Sequence, residues 1–357
     1  MRPSRSTLCW LSNDAAEGPA LRPRALFLPS LSEGGGRQVK AAPALSSRPL
    51  HRSLRLPRLR LPRSLRQLAT ALPFLLPGVL LFLIFVLYPL AKGVKMSLYQ
   101  WDLMSPTDSQ FLGLANYRHA LTQDPTFWLA VRNTLIYVVV TVPSQMALGL
   151  GTALLLNARL RGKVFFRTLY YLPVVTSWLV VSYIFAYLFS SGPGPVNYFL
   201  TEVLHVLPQP VDWLQNTWPA QVPINLLGIW KGIGWNMVIF LAALQSIPPE
   251  LYEAAAVDGA NPSQVFRRIT LPLLRPAIAF VLVMLIIGGF NVFLSVFLLT
   301  AGGPLGTTEV WLSYMYTQAF KYLDFGYGTA IGILMGITVA VISFAQRRFL
   351  RGAGVQY

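Results

Sequence analysis

The side chains able to do covalent chemistry are few in this chain, and their spacing excludes more than it offers. The single cysteine, Cys9, rules out an intrachain disulfide and a cysteine-rich metal site. His51, His119 and His205 are scattered, with no pair at ligand spacing. No GxxxxGK[ST] loop is present to cradle a nucleotide, and GxSxG and HExxH are also absent. The apolar runs hold no paired acids and no Ser-His arrangement, so an intramembrane enzyme is set aside. Two groups of residues remain. One is the polar segment "EAAAVDGANPSQVFRRITLP", Glu253 to Pro272, lying between two very hydrophobic stretches. The other is the polar and small residues inside those stretches.

In "LLGIWKGIGWNMVIFLAALQ" these are Trp230, Lys231, Gly232, Trp235 and Asn236. The next apolar run holds Gly288, Gly289, Asn291 and Ser295. Polar groups in hydrocarbon are costly, so each is a candidate for a solute path with a structural alternative. Trp230 and Trp235 either form a sugar-stacking platform or anchor the helix at the interface. Lys231 either meets an anionic solute, such as a glycerol phosphate, or snorkels outward. Gly288 and Gly289 either open backbone to a ligand or let two helices pack closely. Asn291 and Ser295 read as interhelical hydrogen-bond formers rather than ligands.

These residues need a membrane around them. The 357 residues are 54% hydrophobic and 12% charged, with mean hydropathy +0.52. A soluble domain carries about twice that charged share. The fold class is therefore an all-α polytopic membrane protein with about six transmembrane helices. The apolar runs place them near 73–97, 129–156, 169–189, 222–244, 276–300 and 327–344. Pro77, Pro89 and Pro143 should kink their spans. Residues 1–71 read as a basic, Pro/Arg-rich, disordered or membrane-surface tail. Residues 1–72 hold 13 of the 29 Lys and Arg against three acids, which places +10 of the net +16 there. That placement points to anionic lipid headgroups and argues against nucleic acid.

Charge also orients the spans. "NARLRGKVFFR", the tail and the C-terminal Arg347, Arg348 and Arg351 are basic, whereas the loop at 191–221 has Glu202 and Asp212 and no Lys or Arg. Basic loops stay cytoplasmic, which places both termini inside. Lys92 and Lys95 speak mildly against this.

The 253–272 segment then faces the cytoplasm. It reads as two short helices. Pro248 and Pro249 with Glu250 and Glu253 suit a helix start. Leu251, Ala254, Ala255 and Tyr252 supply an apolar face. Asp258-Gly259 breaks the helix, with Gly259 in a left-handed conformation. Asn261-Pro262 starts the second helix and Pro272 ends it.

The order Glu253, Ala254, Ala255, Asp258, Gly259, Ala260, Phe266, Ile269, Leu271 and Pro272 resembles the EAA loop of binding-protein-dependent ABC importer permeases. The resemblance covers about 72–350. "FLGLANYRHALTQDPTFWLAVRNTLIY", "RGKVFFRTLYYLP" and "LTAGGPLGTTEVWLSYMYTQAF" resemble the first permease of the maltose-type, carbohydrate-uptake branch. It implies a six-span permease domain at 72–350, a cytoplasmic coupling loop at 247–275 and a short tail at 351–357. It implies a loop that seats in a separate ATPase, with Glu253, Ala254, Ala255, Asp258, Gly259 and Ala260 as the coupling residues. It implies substrate contacts at Lys231, Gly232, Trp235, Leu285, Gly288 and Gly289. The implied partners are a second permease subunit, an ATPase dimer carrying ATP and Mg, and an extracytoplasmic solute-binding protein in a bacterial cytoplasmic membrane. The chain itself would bind no cofactor and catalyse no reaction. A membrane scaffold recruiting a soluble partner through the loop is the alternative.

Overall fold

The computed structural model describes residues 63–102, 109–158, 161–192 and 194–352. Of the predicted tail at 1–71, residues 1–62 lie outside the described residues. The first helix, α1, runs over 63–97 and so begins before the predicted boundary at 72. Pro77 lies within it, and the turn Leu83–Leu87 widens to π geometry ahead of Pro89, whose ring removes a backbone donor. The large apolar side chains of α1 are exposed on all sides, which leaves them to lipid or to another chain.

A two-stranded antiparallel ribbon follows, β1 (Tyr99–Gln100) with β2 (Gln110–Phe111). After the short helix α2 (Ala115–Thr122) comes α3 (Pro125–Asn157), which continues through Pro143 without a break. The predicted third span is two helices, α4 (Lys163–Val175) and α5 (Trp178–Leu188), bent by 95°. Helical turns at 195–203 (α6) precede α7 (Thr217–Gln245). The polar segment folds into α8 (Pro249–Val257) and α9 (Pro262–Leu273), and α9 meets α10 (Arg275–Phe290) at a 63° bend. The predicted fifth span to Thr300 is also interrupted: α10 stops at Phe290 and α11 covers Leu294–Leu299. Turns at 311–321 (α12) lead to α13 (Phe325–Gly352). Among the described residues four helices are long and apolar enough to cross a membrane, or up to six if each bent pair counts as one span.

The centre of the packing is α3 against α7. Three apolar clusters lie along this pair. Tyr137, Phe185, Ile224 and Val296 join α3, α5, α7 and α11. Phe127, Phe290, Trp311 and Ile331 join α3, α10, α12 and α13. Leu156, Phe240, Leu244, Ile247, Leu274 and Val281 join the ends of α3 and α7 to the α9–α10 bend.

Asp124 ties the second cluster at its polar edge. Its carboxylate caps α3 by accepting from the backbone N–H of Thr126 (2.9 Å) and Phe127 (3.1 Å). It also accepts the hydroxyls of Tyr314 and Tyr327, which arrive from α12 and α13. Burial pushes this carboxyl up, but the bonds from Tyr314, Tyr327, Phe127 and Thr126 outweigh it and hold it below its ordinary 3.8. Its contribution is therefore present above the unfolded value and is lost as pH falls through the lower folded value. Replacing Asp124 with Ala is expected to cost roughly 2–4 kcal/mol, from one cap and two hydroxyl bonds to a charged acceptor. Thermal melting in detergent from about pH 7 to about pH 3 checks this. The gap between wild type and Asp124→Ala should be full near neutrality and narrow as pH falls below about 4.

Candidate functional site

The α4–α5 and α10–α11 breaks both contribute to the wall of a cavity of about 490 Å³, within the size range of ligand sites. Thr141 and Gln145 of α3, Trp178 of α5 and Gly228, Lys231 and Gly232 of α7 form part of its wall. Leu285, Gly288 and Gly289 of α10 and the stretch from Asn291 to Ser295 form most of the rest. Five of the six residues singled out for a solute path thus come together. Trp235 does not line the cavity and is about half exposed. Trp230 is also outside it, with its ring 6.0 Å from that of Phe185.

Lys231 does not snorkel. It is buried, and its Nζ donates to the carbonyls of Pro173 (2.7 Å) and Thr176 (2.6 Å) while lying 4.9 Å from the centre of the Trp178 ring. The end of α4 leaves those carbonyls without helical partners. An ammonium carries three donors and no acceptor, and here it meets two carbonyls and a π face. The dipole at the end of α4 adds to the fit. Lys231 therefore secures the break that turns Trp178 toward the cavity.

Gly228 and Gly232 are places of close approach. A Cβ on Gly232 would lie 2.1 Å from Gln145 Oε1, and one on Gly228 would lie 2.2 Å from the Tyr137 hydroxyl oxygen. Gln145 Nε2 donates to Gly228 O (3.1 Å), and Asn236 Nδ2 donates to Gln145 Oε1 (3.3 Å). Gly289 presses on Val138. Gly288 differs: a Cβ there would meet nothing within 4 Å. Asn291 donates to Ile287 O within its own helix (2.8 Å), and Ser295 Oγ is buried without a protein partner, so neither forms the expected interhelical bond. The sequence reading missed Thr141, Gln145, Trp178 and Phe293. Gln145 carried the same signal as Asn236, an amide inside an apolar run.

The 253–272 segment keeps its predicted outline. Gly259 has φ +70°, and its neighbour Ala260 N–H donates to Ala255 O (2.9 Å). Asn261 and Gln264 form a capping box, with both bonds at 2.9 Å. Two details differ. The apolar face divides, because Ala255 is buried and Tyr252 half-buried while Leu251, Ala254 and Val257 are exposed with Glu253 and Asp258. Pro272 lies inside α9, which ends at the next residue, Leu273, just before the buried Leu274. Among the described residues no group of His, Cys, Asp and Glu could hold a metal ion.

The family described as "binding-protein-dependent transport system inner membrane component" matches residues 145–352. The chain belongs to this family. It is a permease subunit of an ABC importer, a translocation subunit rather than an enzyme. The permease is 36% identical to the arabinooligosaccharides transport system permease AraP of Halalkalibacterium halodurans, over 78% of this chain and 86% of that one. It is 35% identical to the lactose transport system permease LacF of Rhizobium radiobacter, over 76% and 91%. Its fold matches a solved bacterial alginate ABC transporter in complex with an alginate pentasaccharide-bound periplasmic protein. That match has TM-score 0.70 and 27% identity, over 81% of this permease and 96% of that chain.

The glycines give opposite expectations. Gly232→Leu should destabilise the permease by roughly 1–3 kcal/mol through overpacking against Gln145. Gly288→Leu should keep the wild-type melting temperature yet lower solute uptake at least tenfold, because its side chain enters open cavity space. Paired melting and uptake measurements separate the two.

Proposed function

We propose that this permease carries a neutral sugar or oligosaccharide through the cavity by alternating access, and that the 247–275 loop couples it to ATP. The cavity bounded by two broken helices carries the reading. Its walls offer a Trp and a Phe ring beside the neutral polar side chains of Thr141, Gln145 and Asn291. Such a surface suits sugar, which presents both C–H faces and hydroxyls. Lys231 is already matched to two carbonyls and a ring, which speaks against its serving an anionic solute such as a glycerol phosphate. The relatives that transport arabinooligosaccharides and lactose support a sugar.

The proposed partners are a second permease, an ATPase dimer holding ATP and Mg, and an extracytoplasmic binding protein. The proposed setting is a bacterial cytoplasmic membrane, with both termini and the 253–272 segment on the cytoplasmic side. The exposed stripe Leu251, Ala254 and Val257, flanked by Glu253 and Asp258, is the surface offered to the ATPase. Closure of the ATPase pair would move α8 and α9. The cluster Ile247, Leu274, Leu244 and Phe240 would pass that motion to α3, α7 and α10, which wall the cavity. Coupling is reciprocal, so binding-protein docking should promote ATP hydrolysis and nucleotide should change binding-protein affinity. The scaffold alternative needs no cavity and gains support from no observation.

Gly259→Pro forces φ near −65° where the chain needs +70°. In the reconstituted importer, this variant and Glu253→Lys are expected to leave membrane insertion intact and to separate ATPase from uptake. Uptake should fall at least tenfold while ATPase activity loses its dependence on the loaded binding protein. Normal transport by both variants would remove the coupling role.

A further inference from the structure

Three tyrosines are buried among the described residues: Tyr137, Tyr314 and Tyr327. A buried phenol normally finds a hydrogen-bond partner. Tyr314 and Tyr327 both donate to Asp124. The Tyr137 hydroxyl bonds to no described residue. Its ring is packed with Phe185, Ile224 and Val296. Its oxygen reaches over Gly228, where a Cβ would come within 2.2 Å of it, and both residues line the cavity.

The polar groups around it are already committed. Tyr137, Thr141 and Gln145 follow one another at four-residue spacing, so they share one face of α3, and all three line the cavity. Thr141 Oγ1 donates to Tyr137 O (2.7 Å). Gln145 donates to Gly228 O and accepts from Asn236. Lys231 is matched to the carbonyls of Pro173 and Thr176. The Tyr137 hydroxyl keeps both a donor and an acceptor unused in the cavity wall. Packing does not account for it. A phenylalanine would fill the same space without an unpaired buried hydroxyl, which is costly.

We infer that Tyr137 is a specificity-determining residue: its hydroxyl pairs with one hydroxyl of the solute in the cavity and so selects for solutes that carry it. The inference rests on the sugar reading above. It adds a contact on α3, whereas the contacts implied by the resemblance lie on α7 and α10.

The test uses cells expressing the complete importer with Tyr137 or with Tyr137→Phe. They receive lactose, maltose or arabinobiose at saturating concentration, and the derivatives of each that lack a single hydroxyl. Tyr137→Phe removes one oxygen and keeps the ring, so the purified variant should melt no lower than wild type. It is expected to import the parent sugar about tenfold more slowly, the effect of one lost hydrogen bond. It should slow one derivative, the one lacking the paired hydroxyl, by about twofold or less. The binding protein is the same in both strains, so its own preferences cancel in these ratios. Unchanged import of the parent by Tyr137→Phe would overturn the inference. So would an equal fall for the parent and every derivative, which would make the hydroxyl structural. Both results leave the sugar reading standing, since the wild type still imports the parent. Import of none of these sugars by the wild type would remove the sugar reading and this inference with it.

Discussion

The cavity depends on one amine. Breaking a helix inside an apolar region leaves carbonyls without partners, and hydrocarbon supplies none. The end of α4 is such a break, and the Lys231 amine donates to two of its carbonyls. The 95° bend that follows carries Trp178 toward the cavity. Lys231 in turn has its position from α7, which lies close along α3 because Gly228 and Gly232 leave room for Tyr137 and Gln145. A buried cation and two missing side chains thereby make one open volume, with a few polar groups in its wall, within an apolar bundle.

The same bundle links that volume to the polar loop. The loop's base, at Ile247 and Leu274, packs with Phe240, Leu244 and Val281 on the helices that wall the cavity. Packed interiors transmit displacement because they hold little free volume. Tyr252 and Ala255 face inward, while Leu251, Ala254 and Val257 remain uncovered on α8. One side of α8 therefore belongs to the fold and the other is available to a partner.

Much of this was legible in the sequence, because it rests on local rules. Apolar runs of sufficient length gave the spans. Gly259 after Asp258, and Asn261 before Pro262, gave the turn and the second cap, and the structure has both. The helix breaks were hidden inside uniformly apolar runs. Pro173 was the available clue to the first, and Asn291 to the second. The fate of Lys231 could not be read, since its partners Pro173 and Thr176 are distant in sequence. Leu285, Gly288 and Gly289 share the cavity with Lys231 and Gly232, whereas Trp235 points elsewhere. Helical spacing told which residues were polar or small, and only the packing of α3, α7 and α10 decided which face met the cavity.

The central claim is that this cavity opens to one side of the membrane at a time. The direct measurement places a cysteine at Gly288, where the structure leaves open space, after replacing Cys9. Its labelling by a membrane-impermeant thiol reagent is followed from each side of the membrane in the assembled importer. Alternating access predicts labelling from the cytoplasmic side without nucleotide, and from the outer side when ATP is held in the closed ATPase pair. Labelling from the same side in both states, or from neither, would contradict it.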